Sequence, residues 1–177
     1  MKHSVIYISC FWFLFLSWQC SAQIKEGEQD AVDRQAVFAG QFYPRDKGEL
    51  RAMLKDFFSQ APKKQSQAGV AALISPHAGY PYSGKVAASA YNQLDPESRF
   101  DNIFIIAPSH RASFEGASIY HKGDYTTPLG KVNVNRKLAS KLVNMHDVFV
   151  FNENAHSQEH SLEVQLPFLQ YHLKQNF

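Results

Sequence analysis

Val70-Ala71-Ala72-Leu73-Ile74-Ser75-Pro76-His77-Ala78-Gly79-Tyr80-Pro81-Tyr82-Ser83-Gly84 is the stretch that decides how the rest of the chain is read. An apolar run comes first and a loop punctuated by Pro and Gly follows. An Ala-rich helical pattern, Lys85 to Leu94, comes after it. This order places the loop at the C-terminal end of a buried strand, just before a helix. Open α/β sheets bind their ligands at that edge. The pattern then recurs: Asn102-Ile103-Phe104-Ile105-Ile106-Ala107 is a second apolar run, and Pro108-Ser109-His110 follows it. Residues 70–74 and 102–106 are apolar at consecutive positions, as in strands buried on both faces of a parallel sheet. The expected fold class is therefore α/β, a mostly parallel central sheet flanked by helices. If both strands lie in that sheet, His77 and His110 converge above its edge, and paired imidazoles there point to a metal site.

The chain starts with a different kind of segment. Lys2 gives a positive start, Val5 to Trp18 is largely apolar, and Cys20-Ser21-Ala22 offers the small residues a signal peptidase reads. Residues 1–22 are expected to be a signal peptide cleaved after Ala22, with export to the periplasm or beyond. The apolar run is shorter than the roughly 20 residues a spanning helix needs, so no stable membrane insertion is expected after cleavage. Both cysteines, Cys10 and Cys20, lie in this leader. The mature chain then has neither a disulfide nor a thiolate ligand of its own.

Lys and Arg number 18 against 16 acids, a net charge of +2, of which the leader carries the single Lys2. So near-neutral a chain gives no electrostatic case for nucleic acid or for an anionic membrane surface. A small molecule or a peptide is the expected partner. The length beyond the leader suits one domain with a real core.

Residues 23–33 are polar and read as a flexible lead-in. Residues 34–44, with Gly40 and Pro44, read as a loop or extended segment. Asp46 caps a predicted helix over 47–59, where Leu50, Met53, Leu54, Phe57 and Phe58 recur at core-facing spacing. Further on, 116–120 and 148–151 read as short strands, and Val132 and Val134 as a half-exposed one. Asn135 caps a helix over about 136–144. The last informative stretch runs from His156 to Leu169. There His160 and Glu163 stand three apart, which on a helix puts an acid beside a histidine. Such an acid orients the ring or raises its basicity. Pro167 is expected to kink or divide that helix.

Four of these motifs, in this order, resemble the Memo family, whose bacterial members are called AmmeMemoRadiSam system protein B. They are Ala39-Gly40-Gln41-Phe42-Tyr43-Pro44, Ser75-Pro76-His77-Ala78-Gly79-Tyr80, Pro108-Ser109-His110 and Glu159-His160-Ser161-Leu162-Glu163-Val164-Gln165-Leu166-Pro167. The family is similar to the catalytic subunit of class III extradiol dioxygenases, an α/β fold with non-haem iron. The resemblance implies that His77 and His110 are metal ligands and that His160 and Glu163 are catalytic candidates near the pocket. It implies iron (Fe2+) as the cofactor, with zinc or copper as further options. The function expected is a metal-dependent, dioxygenase-like oxidoreductase. The alternatives are a non-enzymatic metal- or peptide-binding protein, or an inactive fragment.

The resemblance covers residue 34 to the end, as one domain incomplete at its C-terminus. Members of the family carry a later Ser-Asp-Phe-x-His-like loop and a further ligand, often Cys, and nothing here matches them. Sheet geometry then leads to the expectation of one unpaired parallel edge, a partly bare apolar face and marginal stability.

Overall fold

The computed structural model describes residues 31–65 and 69–176. The predicted signal peptide and most of the lead-in lie outside those residues. Among the described residues, no helix is long and apolar enough to cross a membrane.

The fold is α/β, with a small sheet component and helices packed against it. In chain order the elements are α1 (Lys47–Gln60), α2 (Tyr80–Tyr91), β1 (Ala117–Ser118), β2 (Tyr125–Thr127), β3 (Gly130–Val132), α3 (Arg136–Val143), β4 (Phe149–Val150) and α4 (Leu166–His172). One-turn 3-10 helices at Glu153–Ala155 and Glu163–Gln165 complete the list. β1 and β4 pair in parallel; β2 and β3 form an antiparallel hairpin, which Arg34 extends by a parallel bridge to Tyr125.

The helices form where local chemistry dictates. The Asp46 side chain accepts the Glu49 N–H and starts α1; the Asn135 side chain accepts the Leu138 N–H and starts α3. Each satisfies an amide that has no partner within its own helix. α2 begins five residues earlier than its Ala-rich pattern indicates. Pro81 sits in its first turn, where a missing N–H is harmless. The same reason explains Pro167: the backbone passes through a 3-10 turn into α4, and Pro167 stands in the first turn of α4 rather than kinking one long helix.

The main core lies between α1, α2 and α4. Leu50, Leu54 and Phe57 pack on Tyr80, Ala87, Ala88 and Tyr91, with Phe168 stacked on Tyr91 at 5.3 Å between ring centres. A second cluster, Tyr120, Tyr125, Val132 and Leu166, holds the hairpin against the start of α4. Gly84 is where α2 meets α1 most tightly, since a Cβ there stands 2.2 Å from Phe57 Cε2. Gly84→Ala should therefore lower stability by about 1–3 kcal/mol through overpacking, despite alanine's better helix propensity. A drop in urea midpoint at unchanged slope checks this; an unchanged or raised midpoint contradicts it.

The two central strands differ from expectation. Residues 70–76 and 102–109 form neither helix nor strand, and neither segment belongs to a ladder. Their side chains alternate. Leu73, Ile103 and Ile105 pack on the main core, whereas Ile74 and Ile106 are 97% and 96% exposed and Phe104 is 67% exposed. An apolar run reports a tendency to bury; it does not supply the neighbouring strand that a central position requires. One face is bare, and the parallel ladder is confined to β1 and β4 among the described residues.

Candidate metal centre

Both predicted histidine loops are held by a hydrogen bond to a proline carbonyl, one residue before His77 and two before His110. Gln165 Nε2 donates to the Pro76 carbonyl at 3.0 Å, and Ser161 Oγ donates to the Pro108 carbonyl at 2.7 Å. Gln165 is itself held by the Tyr91 hydroxyl, which donates to its Oε1 at 2.8 Å. The stretch 159–165 thus staples the two loops side by side and carries His160 into the gap between them. The tight turn at Gly40, with φ +88°, brings the remaining wall. Its Phe42 ring lies 4.5 Å from the His160 ring and Phe38 5.5 Å, centre to centre.

The result is a cluster of three imidazoles. Ring centres are 5.3 Å apart for His77 and His110, 6.0 Å for His77 and His160, and 4.6 Å for His110 and His160. One nitrogen from each ring lies within 4.8 Å of the other two. Three nitrogens each about 2.1 Å from one ion stand roughly 3–3.5 Å apart, so small ring rotations are enough to bring them to bonding distance.

Glu159, buried beneath the cluster, fixes it from behind. Its Oε1 lies 2.9 Å from His110 Nδ1 and 3.4 Å from His160 Nδ1, and it accepts the Ser161 N–H at 2.9 Å. Its Oε2 accepts the His110 N–H. Burial pushes the Glu159 carboxyl up, but these donors from His110 and Ser161 outweigh burial and hold it at about 2. An ionised carboxylate only accepts, so His110 carries its proton on Nδ1 and leaves the Nε2 lone pair free. Burial, together with the neighbouring His110, His77 and Arg111, holds His160 below the usual imidazole range against the opposing pull of Glu159. His160 is therefore neutral near pH 7, the form that ligates metal.

Glu163 goes elsewhere. It does not share a helix face with His160, because Glu159 and His160 lie outside any helix, 161–162 form a turn and the 3-10 helix starts only at Glu163. Its side chain is 1% exposed, with Oε2 2.9 Å from Arg34 Nη2. Its Oε1 accepts the Phe38 N–H at 2.9 Å and the Tyr43 hydroxyl at 2.6 Å. The acid beside His160 is Glu159 instead. Sequence reasoning missed Glu159, Ser161 and Gln165 as positioning groups, although all three lie in a motif it had singled out.

Arg34 completes the frame, donating to the carbonyls of His156 at 2.7 Å and Glu159 at 2.9 Å. His156 is a separate, structural histidine, with Nε2 2.8 Å from Ser118 Oγ. Burial, then the Arg34 charge, lowers it to about 4. Its folded value lies below its unfolded one, near 6.5, so above pH 6.5 it contributes nothing to the pH dependence of stability. Stability should fall between about pH 6.5 and 4, as the unfolded chain takes up the proton first, and level off below. In His156→Gln the slope of unfolding free energy against pH in that window should drop by up to ~1.4 kcal/mol per pH unit, with His160 supplying a remainder. An unchanged slope contradicts a buried neutral His156.

The family model described as "Memo-like protein" matches residues 34–177. Among curated relatives, a MEMO1 family protein of Pyrococcus furiosus is 39% identical over 138 residues, covering 78% of this chain and 47% of that protein. One from Sulfolobus acidocaldarius is 40% identical over 149 residues, covering 78% and 52%. One from Thermoplasma volcanium is 41% identical over 144 residues, covering 81% and 52%. The chain spans about half the length of these relatives.

Proposed function

The chain belongs to the Memo-like protein family, and from that premise we propose that His77, His110 and His160 hold a catalytic transition metal. The observation that carries this reading is three imidazole nitrogens within 4.8 Å of one another, with a buried carboxylate orienting His110 from behind. A carboxylate that accepts from the far nitrogen of a ligating imidazole is the usual support of such a centre. The donor set, all imidazole, suits iron, zinc or copper. The resemblance to extradiol dioxygenase subunits favours ferrous iron, which when bound supplies a Lewis-acid and one-electron redox centre.

The chain's own residues do the rest. His110 presents Nε2, and Glu159 keeps its proton on Nδ1. Phe38 and Phe42 wall the His160 side of the cluster against water. His160 is the third ligand. The substrate proposed is a small aromatic diol, and the site of action lies outside the cytosol, in keeping with the leader read from residues 1–22.

The test measures oxygen consumption by the Fe2+-loaded protein against a panel of catechols. Uptake that depends on both Fe2+ and a catechol, and disappears in His110→Ala, supports the oxidoreductase reading. Metal binding without uptake across the panel replaces it with a non-enzymatic metal-binding protein.

A further inference from the structure

A cleft of about 360 Å³ lies where the His110 loop meets residues 152–158, lined by Arg111, Ser113, Asn152, Asn154, Ser157 and Gln158. The chain ties it to the imidazole cluster from both sides: Arg111 follows His110, and Gln158 precedes Glu159 and His160. Both walls are fixed. Glu159 holds the His110 N–H and ring, and Ser109 Oγ closes the next turn by donating to the Ala112 carbonyl at 2.8 Å. Opposite, the Asn152 N–H donates to Ser118 Oγ at 3.0 Å, and the Asn152 side chain accepts the Asn154 N–H at 3.0 Å, capping the 3-10 turn.

The chemistry of the lining is one-sided. It holds one guanidinium and no carboxylate; Glu153, next to Asn152 in the chain, is not part of it. Among the described residues, Arg111 donates no hydrogen bond and joins no ion pair, and the side chains of Ser113, Asn154, Ser157 and Gln158 are equally unengaged. A guanidinium presents a planar fork of N–H donors that matches a carboxylate or a phosphate, and hydroxyls and amides beside it serve the remaining lone pairs. Burial first, then charges that include Arg111, hold His160 below its usual range. The guanidinium therefore lies within electrostatic reach of the cluster.

We propose that this cleft is an oxyanion subsite: it seats the carboxylate or phosphate of a small molecule whose other end reaches His77, His110 and His160, and Arg111 selects that charge. The role of the far end rests on the metal-centre reading, whereas the anion subsite rests on Arg111 and its neighbours alone. A chain of net charge +2 exerts no general pull on anions, so one unpaired guanidinium in a cleft without acids is a local signal. A few convergent polar groups in a concavity are the usual means of fixing a ligand's orientation.

The experiment is calorimetric titration of the 177-residue chain with dihydrocaffeate, a catechol bearing a carboxylate, and with its neutral primary amide. The protein is loaded with Zn2+, so that binding is read without oxygen chemistry. The acid should bind at least ~10-fold tighter than the amide, as a charge-assisted hydrogen bond allows. In Arg111→Gln that preference should vanish, and in Arg111→Lys part of it should return, with the circular dichroism of both variants unchanged. Added salt should weaken the acid and leave the amide as it was. Phenylpropionate and phenyl phosphate lack the diol and read the subsite on metal-free protein. Arg111-dependent binding of either supports the subsite even where the chain holds no metal, and the tighter of the two identifies the anion. Equal affinity for acid and amide in the unchanged protein, an acid preference that survives Arg111→Gln, or no Arg111-dependent binding of the diol-free anions overturns the proposal.

Discussion

Replacing Glu163 with Ala should lower the unfolding free energy by about 3–5 kcal/mol, the loss expected when one partner of a buried ion pair is removed. The change leaves the Arg34 guanidinium charged, 5% exposed and without its carboxylate. It also strands the Phe38 N–H and the Tyr43 hydroxyl, both of which donate to Glu163. Stabilities of small domains are typically about 5–15 kcal/mol, so this single change consumes much of the total. Glu163→Gln should be milder, since the amide oxygen still accepts from Phe38 and Tyr43, yet it leaves the Arg34 charge unmatched. Urea unfolding of the three proteins checks the order: unchanged, then Gln, then Ala. If the Ala variant loses less than ~1 kcal/mol but loses metal, Glu163 belongs to the site and not to the frame.

The second large effect concerns the cluster. His77→Ala, His110→Ala and His160→Ala should each remove most of the bound metal, because two imidazoles leave most of the coordination sphere to water. Glu159→Gln should weaken metal binding by about 10–100-fold while keeping the three ligands, the usual effect of losing a supporting carboxylate. Gln at 159 can still bond His110, but it presents no charge and no longer dictates which ring nitrogen keeps the proton. Equal metal affinity in Glu159→Gln and the unchanged protein contradicts the orienting role.

Local signals in the sequence translated well. Asp46 before an apolar stripe and Asn135 before another start α1 and α3 as predicted, because a cap and a stripe are properties of a dozen neighbouring residues. The motif stretches were also legible: residues 75–80, 108–110 and 159–167 converge on one place. What stayed hidden is long-range. Glu163 read as a partner for His160 because it is three residues away, but its actual partners are Arg34, Phe38 and Tyr43, all 120 or more residues distant. Spacing carries no information about such contacts. Glu159 went unread because its work is to accept hydrogen bonds from His110, 49 residues back. The runs 70–74 and 102–106 announced apolar strands, yet neither segment enters a ladder, because pairing depends on a neighbour that periodicity does not describe.

The central claim is that three imidazoles make one metal centre, and it is most directly tested by counting metal. The 177-residue chain, loaded anaerobically with Fe2+ or with Zn2+ and freed of excess, is analysed for metal content alongside the variant in which His77, His110 and His160 are all Ala. The account predicts close to one ion per chain for the unchanged protein and essentially none for the variant, with both proteins folded by circular dichroism. Equal metal in the two folded proteins, or none in the unchanged one, would contradict it.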